Sequence, residues 1–174
     1  MEILWQELSF GFPEPHDLER VIIRLLAAAF LGAAIGSERQ RAGKSAGVRT
    51  HMLVTVGTTA FLLACSRYGM SLDGTSRVIQ GIVTGIGFIG AGTILKLEGE
   101  HEVKGLTTSA GIWMSSAIGV AVGLGALGLA VMTTFLALII LTVTVALDNW
   151  INKGRLIKKT YVSHPKRRST DLVD

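Results

Sequence analysis

The chain has a single cysteine, Cys65, among its 174 residues, so no disulfide can form within it. Cys65 sits in an apolar run and reads as a packed thiol rather than a reactive one. Charge is also scarce: 17% of residues are charged, against about 25% in an ordinary soluble domain. No Asp or Glu falls deep inside an apolar stretch, which removes the usual ligands of a mid-membrane Mg²⁺ or Ca²⁺ site. His16, His51, His101 and His164 are scattered. With no His/Cys cluster and no nucleophile–base pair at a persuasive spacing, no metal, cofactor, catalytic residue or enzymatic activity is expected. A pore lined by carbonyls and hydroxyls stays open as an alternative. No cleavable signal peptide is evident, because the first apolar run begins near Val21 and follows acidic rather than basic residues.

Apolar sequence is plentiful. Mean hydropathy is +0.48, and 49% of residues are hydrophobic. The charges gather in clusters at 37–49, at 96–104 and after 148, and the stretches between them are nearly free of charge. From Leu106 to Leu147 the chain runs 42 residues without one. A helix that long would measure about 63 Å, two bilayer widths. Its break belongs at GLGALG, residues 123–128, where glycines permit a reversal. Four earlier features complete the pattern. MEILWQELSF suits a short interfacial helix ended by Pro13 and Pro15. Spans follow at about Asp17–Gly36, Thr50–Tyr68 and Arg77–Leu95. The expected fold is therefore all-α, a polytopic transmembrane bundle of about five spans. Its parts are an interfacial segment over 1–16, a transmembrane domain over 17–148 and a basic tail over 149–174.

Orientation follows from basic residues. The tail and the loops at 37–50 and 96–105 share one side and hold 13, while the other side holds Arg20, Arg24, Arg67 and Arg77. The positive-inside rule then puts the C-terminus in the cytoplasm and the N-terminus outside. Trp5 and Trp150 fall near opposite interfaces, and the tail suits anionic lipid. Nothing aromatic is interleaved with the tail's charge, so no nucleic-acid partner is expected.

Residues 84–92 read TGIGFIGAG, and Gly85, Gly87 and Gly90 match G-x-G-x-x-G. A dinucleotide turn needs a strand before it and a βαβ unit around it, and the charged loop at 96 leaves no room for either. As a helix, the same stretch places Gly81, Gly85 and Gly92 within about 40° of one another, with Gly87 and Gly90 opposite. Small residues allow close helix approach in lipid. These five glycines therefore predict a central helix with tight neighbours on both sides.

Two places could carry function. Arg24 lies one turn inside the first span, on the face it shares with Asp17 and Arg20. It either snorkels to the interface or acts as an embedded functional charge. At the other edge, three helix ends converge on one compartment: Glu38 and Arg39, Arg49 and Thr50, and Lys104 with Thr107 and Thr108. Glu38 could pair with Arg39, Arg49 or Lys104. This polar cluster is either a site for an ion, anion or partner, or simple topological anchoring.

The segments GSERQRAGKSAGVRTHMLVTVGTTAF, GIGFIGAGTIL and VKGLTTSAGIWMSSAIGVAVGLG, in this order and spacing, resemble the MgtC/SapB family of bacterial membrane proteins. The resemblance covers about residues 20–147. It implies a multi-pass inner-membrane protein linked to growth at low magnesium and to stress adaptation, acting as a regulator more than a transporter. It also implies partners in the membrane, with the ATP synthase, small single-span peptides and other membrane proteins as candidates; a homo-oligomer belongs to the competing transport reading. The family's marked positions fall on Glu38, Arg39, Arg49, Thr50, Gly85, Gly87, Gly90, Gly92, Gly105, Thr107 and Thr108. Thr107 and Met114 stand where virulence-type members tend to have Asn and Cys, and the chain resembles a short member without the C-terminal soluble domain. A small oligomeric cation transporter or channel is the competing expectation.

Overall fold

The structure is a computed structural model that describes residues 2–3, 15–96 and 103–143. The expected interfacial helix, apart from residues 2–3, and the basic tail lie outside the described residues. Residues up to Leu138 form one compact unit, and Ile139 opens a second.

Five long helices occupy the described residues. They are α1 (Pro15–Arg41), α2 (Val48–Arg67), α3 (Leu72–Ala91), α4 (Leu106–Gly123) and α5 (Leu127–Val143). Each expected span has a helix. α1 starts with Pro15 and has Asp17 in its first turn and Arg39 and Arg41 in its last, as the helix dipole favours. α3 starts at Ser71, whose hydroxyl accepts from the Gly74 amide at 3.1 Å. α1, α2 and α4 end in the same way: Gly43, Gly69 and Gly125 take left-handed φ values of +67°, +61° and +85°. The next amide in each case reaches back to a carbonyl of the last turn, as Ala126 N–H does to Ala121 O at 2.9 Å. The expected break at 123–128 falls at Leu124–Ala126. The charged loop holds a short addition, strands β1 (Leu95–Lys96) and β2 (Val103–Lys104), antiparallel with Leu95 opposite Lys104.

α2 and α4 are long and apolar enough to cross a bilayer. The outer surface is apolar as well: Phe30, Leu53, Phe61, Phe88 and Met132 are all more than 60% exposed. A helical bundle with that surface is what lipid, not water, would cover.

The glycine expectation requires a correction. α3 is not the central helix, since only Ile86 and Gly90 among its 20 residues are buried. A Cβ at Gly81, Gly85 or Gly87 would meet nothing within 4 Å, and one at Gly92 would meet only carbonyls of its own turn. Gly90 alone makes a close contact, to Ser109 of α4. The central helix is α4, with ten of its 18 residues buried. Its small residues recur every fourth position at Gly111, Ser115, Gly119 and Gly123, and so line one face. A Cβ at Gly119 would come within 2.6 Å of the Thr55 carbonyl, and one at Gly123 within 2.5 Å of Leu62 Cβ. α1 approaches α2 in the same manner at Gly32 and Gly36.

Gly119→Ala must therefore push backbone away from backbone and should cost about 1–3 kcal/mol, whereas Gly85→Ala should be neutral or slightly stabilising. Thermal unfolding of both variants in one detergent checks this. Equal loss in both would contradict the assignment of α4 as the central helix.

Candidate functional site

The buried seam between α1, α2 and α4 is largely polar. Thr55 Oγ1 donates to Ala28 O of α1 at 2.8 Å. Thr59 Oγ1 donates to Gly119 O of α4 at 2.9 Å. The hydroxyls of Thr58 and Ser116 lie 3.4 Å apart, and His51 Nδ1 and Ser115 Oγ are 2.7 Å apart. Hydroxyls dominate because they fit at glycine-type spacing and can satisfy themselves on backbone when partners are few. Each bond between helices contributes about 0.6 kcal/mol in membrane proteins.

At one end of the seam lies an ion pair. Arg39, in the last turn of α1, is 1% exposed, and its Nε donates to Glu38 Oε2. Among the described residues Arg39 is the one charged side chain that is fully buried. Arg39 Nη2 and His51 Nε2 are both buried and have no hydrogen-bond partner among the described residues. Gly111 brings them together: a Cβ there would stand 3.3 Å from His51 Cε1 and 3.9 Å from Arg39 Cδ. A buried polar group without a partner costs about 1–3 kcal/mol, and native structures carry few of them. Among the described residues these are the two buried side-chain atoms without a partner, and both side chains pack against one glycine.

Of the expected polar cluster, the structure draws three residues inward. Glu38 pairs with Arg39 rather than with Arg49 or Lys104, Arg39 is buried, and Thr108 is 3% exposed one turn before Gly111. Arg49, Lys104 and Thr107 face outward, and Thr50 is half-buried. His51 and Ser115 were absent from the expected cluster. A sign of their place was available, because His51 is followed at helical spacing by Thr55, Thr58 and Thr59, a polar face inside an apolar span. Arg24 faces another helix: its Nη1 donates to Gly123 O at 2.9 Å, at the end of α4. The G-x-G-x-x-G spacing lies wholly inside α3, with no strand leading into it. Among the described residues no three His, Cys, Asp or Glu side chains are grouped to hold a metal ion.

A glycine-laddered helical bundle with a lipid-type surface and a buried Arg–Glu pair defines a class of membrane protein, and sequence comparison supplies the family. The model of the MgtC family matches residues 25–150, and the chain belongs to that family. It is 44% identical over 130 residues to the "Putative magnesium transporter YhiD" of Escherichia coli K12, covering 70% of this chain and 59% of that protein. It is 41% identical to protein SrpB of Synechococcus elongatus, covering 68% and 71% of the two chains. Protein MgtC of Salmonella typhimurium LT2 is 49% identical over 104 residues, which span 60% of this chain and 43% of that one. The chain thus spans less than two thirds of the length of YhiD and of MgtC. No solved structure matches it.

The pair yields a sharp energetic expectation. Glu38→Gln strands the guanidinium and should destabilise by about 3 kcal/mol, while the double variant Glu38→Gln/Arg39→Gln should recover part of that loss. Denaturation of both in detergent checks it. A double variant as unstable as the sum of its singles would show that the two residues do not act as a pair.

Proposed function

We propose that this chain is a multi-pass protein of the bacterial inner membrane, N-terminus outside and C-terminus cytoplasmic. In this reading it serves magnesium homeostasis by regulating other membrane proteins, and it does not conduct a cation itself. Similarity to YhiD, named as a magnesium transporter, supplies the link to magnesium. The observation that carries the regulatory reading is the buried Arg39 guanidinium. A cation moving along the seam would approach a fixed positive group. Two unit charges 4 Å apart at an effective dielectric of 20 interact by about 4 kcal/mol, which doubles for a divalent ion. Glu38 offsets part of this, with its Oε2 held by the Arg39 Nε. Regulation through partners also suits α3, whose Gly81, Gly85 and Gly87 present backbone to the surroundings.

Two measurements on the full chain test the reading together. In liposomes, Mg²⁺, K⁺ and proton flux should equal that of empty liposomes. In cells lacking the protein, growth at low magnesium should be restored by the wild type and restored less by Glu38→Gln at matched membrane levels. Saturable flux that falls with Glu38→Gln would overturn regulation in favour of an oligomeric cation transporter.

A further inference from the structure

α3 carries its polar residues on the side away from the bundle. Ile86, on the side toward it, is buried. Gln80, Thr84, Gly87 and Ala91 are all exposed. Their spacing of four, three and four residues holds them within about 60° of arc, centred roughly 130° from Ile86. A lipid-facing surface is ordinarily apolar, so this stripe is inverted.

Gln80 makes the inversion costly. It lies about 12 Å along a helix about 30 Å long, and the hydrocarbon core is about 30 Å thick. At that depth lipid offers an exposed carboxamide neither donor nor acceptor. Thr84 satisfies its own hydroxyl by donating to the Gln80 backbone carbonyl at 2.9 Å. The Gln80 side chain is then the group that protein must cover. Gly87 leaves room for that, since a Cβ there would meet nothing within 4 Å.

The chemistry of the face selects the partner. Two copies of one chain share an orientation in the membrane, and a two-fold axis along the membrane normal sets each residue near the axis against itself. A carboxamide is its own complement, because each amide donates to the other's oxygen. The four-three spacing is that of a left-handed helix pair, in which a single polar residue at the seam fixes register and number of strands. At the outer end of the stripe, Asp73 and Arg77 form an exposed pair, with Oδ2 and Nη2 2.9 Å apart. Equal and opposite charges let this end meet a copy of itself without net repulsion. Gly81 and Gly85 fall elsewhere, beside Thr58 and Phe61 in a groove toward α2.

We infer that the chain forms a parallel homodimer through the Gln80–Thr84–Gly87–Ala91 face of α3, with the two Gln80 carboxamides bonded across the axis. The inference rests on α3 being a span, as the multi-pass reading has it, and not on the role in magnesium homeostasis.

The test uses the full chain in liposomes at low protein density. In a Cys65→Ala background, oxidation with copper phenanthroline should link Gln80→Cys into a dimer at least ten times more than Gly85→Cys. Energy transfer between dye-labelled copies, followed on dilution with lipid, should show association weakened about tenfold by Gln80→Leu, the loss of two interhelical bonds. Gln80→Asn, which keeps the amide, should weaken it less. Circular dichroism establishes that the variants are helical, and if Gln80→Leu is not, the cross-linking result decides alone. Equal linking at both positions, a monomer at every dilution, or association indifferent to Gln80→Leu would overturn the dimer. A charged thiol reagent separates this from the reading beneath it. Gly85→Cys should be inert, and an inert Gly85→Cys without association removes the dimer alone. Labelling of Gly85→Cys would remove α3 from the membrane and the dimer with it.

Discussion

Everything in the bundle depends on how closely α4 can approach α2. Lipid provides no hydrophobic force between helices, so association rests on dispersion contact and on hydrogen bonds that short distances permit. Gly111, Ser115, Gly119 and Gly123 supply the distance, and His51, Thr55, Thr58, Thr59 and Leu62 fill it. The hydroxyls bond across the interface because no side chain on the α4 face holds the backbones apart. The same ladder has a second effect at its first rung. Gly111 admits both the His51 ring and the Arg39 stem, so close packing and the buried charge share one cause.

That shared cause shapes the functional account. A guanidinium 1% exposed, in the last turn of α1, is costly to bury and is paired with its own neighbour in sequence. It therefore makes a poor adhesive between helices. It does place a fixed positive charge near a buried imidazole nitrogen that has no partner among the described residues, and the proposed regulatory reading rests on that charge. α3, by contrast, is attached chiefly through Gly90 and a small apolar cluster of Ala46, Ile86 and Ile112, and leaves most of its surface open.

Much of this was legible in the sequence. Five helices and their breaks followed from charge spacing and glycine placement, whereas Arg39 was one of three partners the sequence left open for Glu38. The error lay in which glycines do the packing. TGIGFIGAG draws the eye because its glycines are dense, yet dense glycines spread around a helix define no single face. The four-residue repeat from Gly111 to Gly123 is sparser and is aligned, and alignment is what brings backbones together. His51 escaped for a related reason. Its role depends on Ser115, 64 residues away, and no local pattern reports a contact at that range. Spacing alone leaves Arg24 open to lipid, water or another helix, and the end of α4 is the partner the fold supplies.

The most direct test of the central claim is water access to the seam. Ser115→Cys, in a chain with Cys65→Ala, should be inert to a small charged thiol reagent in membranes, while Arg49→Cys, an exposed position, should label readily. That outcome would fit a closed seam whose buried arginine holds structure and relays packing. Labelling of Ser115→Cys at the rate of Arg49→Cys would reveal a hydrated path past Arg39 and contradict the account.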